Sequence, residues 1–248
     1  IQGVLSARLD RLPEAHKRLL QTASVLGREF APRLLQALWE ETTPLTSLLL
    51  DLKRLEFLYE RARGEELVYV FKHALTQEVA YDTLLTTRRQ GLHAATAHAM
   101  ERLYHDWLAE RSEELAHHFT MGAVWDKAFV YLARSGDKAR QAYANQEAIT
   151  IYTQALEVSQ RITPALEDAR LLPVYEGRGR VWQLLSQYDA AIADWQQMRD
   201  LAHRAGQQRQ EGESLCYLAS AHHMKMTYEH LLLEERCAQE AMDLAHQT

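Results

Sequence analysis

The residues whose chemistry stands out in this chain are histidines. His73 closes the stretch LVYVFK and opens ALTQEVAYDTLL, so a two-residue alternation gives way to a helical period at that position. An imidazole on a strand-to-helix junction stands among backbone N–H groups that the first helical turn leaves free, a setting suited to phosphate. The same position also allows a plain hydrogen bond from the imidazole to a backbone carbonyl. His98, Glu101 and His105 fall at i, i+3 and i+7, on one helix face. Two imidazoles and a carboxylate can ligate zinc, yet no HExxH pattern sets a base beside them, and a solvated polar face gives the same spacing. The pairs His117-His118 and His222-His223 make poorer ligand sets, because helix neighbours point about 100° apart.

The motifs of the common chemistries are missing from the sequence. There is no GxxxxGK[ST] phosphate loop with its acidic Mg²⁺ strand, no Gly-x-Ser-x-Gly, no Cys/His nucleophile pair and no well-placed pair of carboxylates. No catalytic or metal residue is assigned, and the chain reads as non-catalytic in itself, with no cofactor of its own.

The elements that must position His73 divide into two halves. With 248 residues the chain is long enough for one large or two modest domains. Lys/Arg and Asp/Glu balance at 14 each over residues 1–108, and the whole net charge of −6 falls in 109–248. An acidic array does not attract nucleic acid, whose phosphates need a basic surface. Cys216 and Cys237 show no pairing or metal pattern and read as buried thiols. No apolar run reaches the ~20 residues needed to cross a bilayer, and the opening IQGVLSARLDRL is too charged for a signal peptide. A cytoplasmic setting without a membrane is expected. The chain begins at Ile1 without methionine and is read as a segment of a longer polypeptide.

In residues 1–108 the spacing predicts four short helices. Val4, Leu5, Leu9 and Leu12 mark the first; Pro13 to Leu26, ended by Gly27, the second; Pro32 to Trp39 the third. Thr43-Pro44 opens the fourth, with Leu45, Leu48, Leu49, Leu52 and Leu55 as its apolar stripe, and Phe30 is read as a core plug. A single hairpin follows at about 57–71, turning at Arg63-Gly64-Glu65-Glu66. Beyond His73 a helix from Ala74 to Leu85, with Leu75, Val79, Tyr81 and Leu85 inward, precedes a longer one from about Gln90 to Trp107. Short helices followed by a hairpin give a winged-helix-like layout. A DNA-binding version would rely on a basic patch of Lys53, Arg54, Arg61 and Arg63, in which Lys53 and Arg54 lie beside Asp51 and Glu56.

Residues 109–248 repeat. Ala148, Tyr152 and Ala155 match Ala191, Trp195 and Met198, and these match Glu234, Ala238 and Ala241, at an offset of 43 both times. Upstream in each unit come Gly136, Gly179 and His222. The pattern resembles a tetratricopeptide repeat with helices longer than those of the usual ~34-residue unit. The units are read as 125–162, 167–205 and 209–247, with a helix at 110–121 as a leading half-repeat. The expected fold is mainly α: a winged-helix-like domain with one β-hairpin over 1–108, then a tetratricopeptide-like α-solenoid over 109–248. Such an array leaves a concave face that binds protein or peptide, or serves as a rigid spacer.

Three stretches, GVLSARLDRLPEAHKRLLQTASVLGREF, YVFKHALTQEVAYDTLL and LAHHFTMGAVWDKAFVYLARSGDKA, together resemble the region downstream of the ATPase core in bacterial STAND-type signal-transduction ATPases. These include the multidomain proteins in which a class III adenylate or guanylate cyclase precedes the ATPase. The resemblance spans residues 1–162 and continues beyond only as the repeat. It implies that the winged helix closes on an upstream nucleotide-binding domain using ATP/ADP with Mg, and that His73 reaches the bound ADP phosphate. In related animal and plant proteins Asp follows this His; here Ala74 follows, so half of that motif is absent. The implied role is regulatory, coupling a partner on the repeats to the nucleotide module. The alternatives are a DNA-binding winged-helix fragment of a transcriptional regulator and, further off, a small enzyme.

Overall fold

The computed structural model describes residues 2–64, 66–225 and 228–245. The turn residue Glu65, the packing of Val4 and the end of the third repeat unit at 246–247 therefore lie outside the described residues. The chain is mainly helical, with one small antiparallel sheet, and divides into two compact units, Ile1–Val124 and Trp125–Thr248.

In the first unit, α1 (Gln2–Asp10) buries Leu5 and Leu9, and α2 (Glu14–Val25) buries Leu19, Leu20 and Ala23. Gly27 takes φ 104° just past the end of α2, a conformation that costs glycine no Cβ clash. After strand β1 (Glu29–Phe30) come α3 (Pro32–Leu38) and α4 (Leu45–Arg54), the latter burying Leu45, Leu48, Leu49 and Leu52. The fifth expected stripe residue, Leu55, lies past the helix and is exposed.

The hairpin is present as β2 (Leu58–Arg63) and β3 (Glu66–Phe71), but the sheet has three strands in the order β1-β3-β2. Glu29 pairs with Val70 and Phe30 with Tyr69, so the Phe30 core plug is also a strand residue. Two residues are too few for any period to show. Being central, β3 is buried on both sides from Val68 to Phe71. Its alternation therefore does not separate core from solvent.

Two further boundaries move. The helix α5 (Ala74–Asp82) stops three residues short of Leu85, and α6 (Thr86–Leu103) starts earlier than Gln90, followed by a 3-10 turn at His105–Trp107. Leu84 is buried and Leu85 is 79% exposed, the reverse of the inward residue expected, because Leu85 caps α6. Helix α7 (Ser112–Met121), read as a leading half-repeat, packs on α6 and belongs to the first unit.

The second unit holds three helical hairpins: α8 (Trp125–Gln141) with α9 (Asn145–Ser159), α10 (Asp168–Leu184) with α11 (Tyr188–Arg204), and α12 (Gln208–Met224) with α13 (Tyr228–Ala245). The first two pair through glycine. A Cβ on Gly136 would stand 2.6 Å from the Tyr152 ring, and one on Gly179 2.8 Å from Trp195. In the third unit the sizes are exchanged: bulky, buried His222 sits at the glycine position and Ala238 at the aromatic one. Ala238, Ala241 and Glu234 remain half-buried and Cys237 is buried, while Cys216 is exposed rather than buried.

Two of the hairpin turns and the connection from α11 to α12 are built alike. The N–H groups of Ala144 and Gln187 return to the carbonyls of Ala139 and Trp182 at 2.9 Å, and Gln207 returns to Ala202 at the same distance. The preceding residue is left-handed each time, with φ 57° at Tyr143, 59° at Ser186 and 67° at Gly206. These are Schellman ends, and only the third uses the residue the geometry favours. Ser186→Gly is expected to raise stability by up to about 1 kcal/mol. Gly179→Ala should lower it by about 1–3 kcal/mol through overpacking on Trp195. Urea melts of the two variants check both signs.

Candidate functional site

His73 is where the sequence places it, on the junction between β3 and α5. It is the N-cap of α5, extended at φ −127° and ψ 132°, and its own carbonyl accepts the Thr76 N–H at 3.0 Å. The side chain is exposed and makes no capping hydrogen bond. The adjacent Lys72 is held on both ends: its N–H donates to Phe57 O at 2.9 Å, and its Nζ meets Glu56 at 3.0 Å. That hydrogen bond keeps the Glu56 carboxyl below its usual range. The local environment is an imidazole and a cationic side chain at the open end of a nine-residue helix, which is an anion-favouring arrangement.

The face of His98, Glu101 and His105 does not assemble. His98 meets Glu101 at 3.4 Å, but α6 ends before His105, which pairs with Asp106 at 3.2 Å from the 3-10 turn. Among the described residues no group of three or more side chains is placed to hold a metal. In the pair His222-His223, the first is buried and the second meets Glu234 at 3.1 Å.

His118 does gain a partner, one that neighbour spacing could not reveal. His93 on α6 and His118 on α7 face each other with their Nδ1 atoms 2.9 Å apart, and Tyr81 on α5 reaches His93 Nε2 at 2.9 Å. One imidazole must donate and the other accept, so the neutral pair satisfies itself. His117 packs its ring against both, and Arg89 lies over the Tyr81 ring while donating to the carbonyls of Tyr81 and Leu84. Burial first, then the neighbouring cations, pushes His93 down to about 4 and His118 to about 3. Both folded values lie below the unfolded one of 6.5, so the stability is complete above that value and is lost progressively as pH falls from it through the folded values. At about 1.4 kcal/mol per unit for each histidine, unfolding stability should drop by roughly 2 kcal/mol between pH 6 and pH 5. Denaturant melts across that interval test it, and a flat profile would contradict the buried pair.

In the second unit a polar clamp ties three helices together. Arg178 on α10 donates to both oxygens of Asp194 on α11, at 2.9 and 2.7 Å, and to Thr153 Oγ1 on α9 at 2.9 Å. Asp194 is nearly fully buried; desolvation raises its pKa even though Arg178 pulls the other way. Asp194→Ala would leave the guanidinium without its partner and is expected to cost about 3–5 kcal/mol, read by thermal or urea melts. The first helices of the second and third units also share a polar face. Arg180 donates to Tyr217, Glu176 accepts from Arg180 at 2.7 Å, and Gln183 donates to Ser220 at 3.2 Å.

The basic residues a DNA reader would use lie beside acids, four cations to three carboxylates. Lys53 pairs with Glu60 at 2.7 Å, Arg54 with Asp51 at 3.5 Å, and Glu29 receives both Arg61 and Arg63. No described helix is long and apolar enough to cross a membrane. Comparison with known proteins gives no matching family model and no matching curated protein.

Proposed function

We propose that this chain is a non-catalytic regulatory and protein-interaction segment of a multidomain signalling ATPase or cyclase. On this reading the first unit is a winged-helix-like module that closes on an N-terminal nucleotide-binding module. The second is a tetratricopeptide-like array that binds a protein or peptide on the concave face of its first helices. ATP or ADP with Mg belongs to the partner module, and the segment contributes one contact, His73, to the nucleotide phosphate.

The observation that carries the reading is the placement of His73. Its imidazole is exposed and uncapped at the first turn of α5 while the residues before it are fixed by β3 and by the Lys72–Glu56 pair. A histidine with only a packing role would be buried or bonded to its own helix. The repeated hairpins, with the polar face of Glu176, Arg180, Gln183 and Tyr217, support the interaction half of the proposal. The reading as a DNA-binding winged-helix fragment gains less support, since its candidate cations face carboxylates.

In a polypeptide that joins this chain to its nucleotide-binding module, His73→Ala should weaken ADP binding about ten- to a hundredfold, the loss of one charge-assisted hydrogen bond. The melting temperature should barely move, because the side chain is exposed. ADP titration with melts as control decides it. Unchanged affinity with a large loss of melting temperature would make His73 structural.

A further inference from the structure

Within the first unit α7 packs on α6, whereas α5 is tied to α1, α2 and β3, and α6 also to α2 and α3. The seam between α6 and α7 is tight and largely apolar. On one side α7 buries Leu115, Ala116 and Phe119, and on the other α6 buries Thr96, Ala97 and Met100. His98 of α6 meets the Phe119 ring edge-on, with centroids 5.2 Å apart. At the end of α7 the backbones nearly touch, since a Cβ on Gly122 would stand 2.7 Å from Ala94 N.

Into this seam the chain sets the facing imidazoles of His93 and His118, 1% and 4% exposed. The titratable and charged groups around them are Tyr81 from α5, Arg89 from α6 and His117 from α7. Helix α2 meets α6 through Val25 beside Leu92, and α3 brings Arg33 to the Tyr104 ring beyond the far end of α6. The carboxylates of Glu101 on α6 and Glu114 on α7 are engaged by His98 and Arg111. None of the groups around the pair supplies a negative charge to it. With both rings neutral, one proton lies between the two Nδ1 atoms and the contact is a hydrogen bond. A first added proton leaves an unmatched charge in a buried seam. A second sets two N–H donors head to head 2.9 Å apart. Separation of α7 from α6 relieves both, because the rings then reach water.

We propose that the seam between α6 and α7 is an acid-opened joint: protonation of His93 and His118 releases α7 and uncovers Leu115, Ala116 and Phe119 while the sheet and helices α1 to α6 stay folded. Loss of the histidine contact frees α7 first, because α5 and α6 keep their packing on the rest of the unit. The joint is independent of His73 and of the repeats.

Hydrogen–deuterium exchange of the whole chain at pH 7, 6 and 5, corrected for the pH dependence of intrinsic amide exchange, tests it. The opening equilibrium of α7 should grow roughly fiftyfold between pH 6 and pH 5, about sevenfold from each histidine. At pH 5 the amides of Leu115 to Phe119 should be less protected than those of β3, with the circular dichroism of a folded chain. His118→Gln keeps a neutral donor and acceptor opposite His93 and should cut the pH effect to about tenfold or less. Equal protection of α7 and β3 at every pH would overturn the proposal, because the chain would then open only as a whole. So would an unchanged protection of α7 between pH 6 and pH 5 in the natural sequence, a result that needs no variant to fold.

Discussion

The second unit depends on one steric constraint: the helices of a hairpin must approach closely enough for an aromatic ring to lie on bare backbone. Gly136 under Tyr152 and Gly179 under Trp195 meet it, and any side chain at either glycine would overlap the ring. Ala148 and Ala191, equivalent positions one turn before the rings, are fully buried in the same close approach. The left-handed ends at Tyr143 and Ser186 return the chain at the same distance each time. The exchange of sizes between His222 and Ala238 shows the constraint acting on volume rather than on residue type.

The first unit is held by a different device, a central strand with partners on both edges. β3 buries four consecutive residues and delivers the chain to α5 with its orientation fixed. Helices α5, α6 and α7 are then drawn together by the Tyr81–His93–His118 chain. His73 therefore stands on a rigid base without being part of it. In the proposed regulatory role, that arrangement lets one exposed side chain report on a ligand while the module behind it stays intact.

Much of this was legible from periodicity. Four of the helices in the first unit, the hairpin and the three repeated pairs are found close to where residue spacing puts them, because that signal is local. What escaped was non-local. Strand β1 has two residues and becomes a strand only by meeting Tyr69 and Val70. Leu84 and Leu85 are adjacent leucines, and which one turns inward depends on where α6 begins. His93 and His118 are 25 residues apart, and no spacing rule joins them until α7 packs on α6. Cys216 is exposed on α12, where helix packing rather than residue type decides burial. His73 was legible because its signal is local, a change of period at one residue.

The central claim is that the first turn of α5 meets a nucleotide phosphate. Hydrogen–deuterium exchange tests it most directly, on the polypeptide joining this chain to its nucleotide-binding module, with and without Mg-ADP. The account predicts slower exchange of the free first-turn amides of α5, Ala74 and Leu75, when ADP is bound, since those N–H groups would then face a phosphate. Unchanged exchange across α5 under conditions where ADP is bound would contradict it.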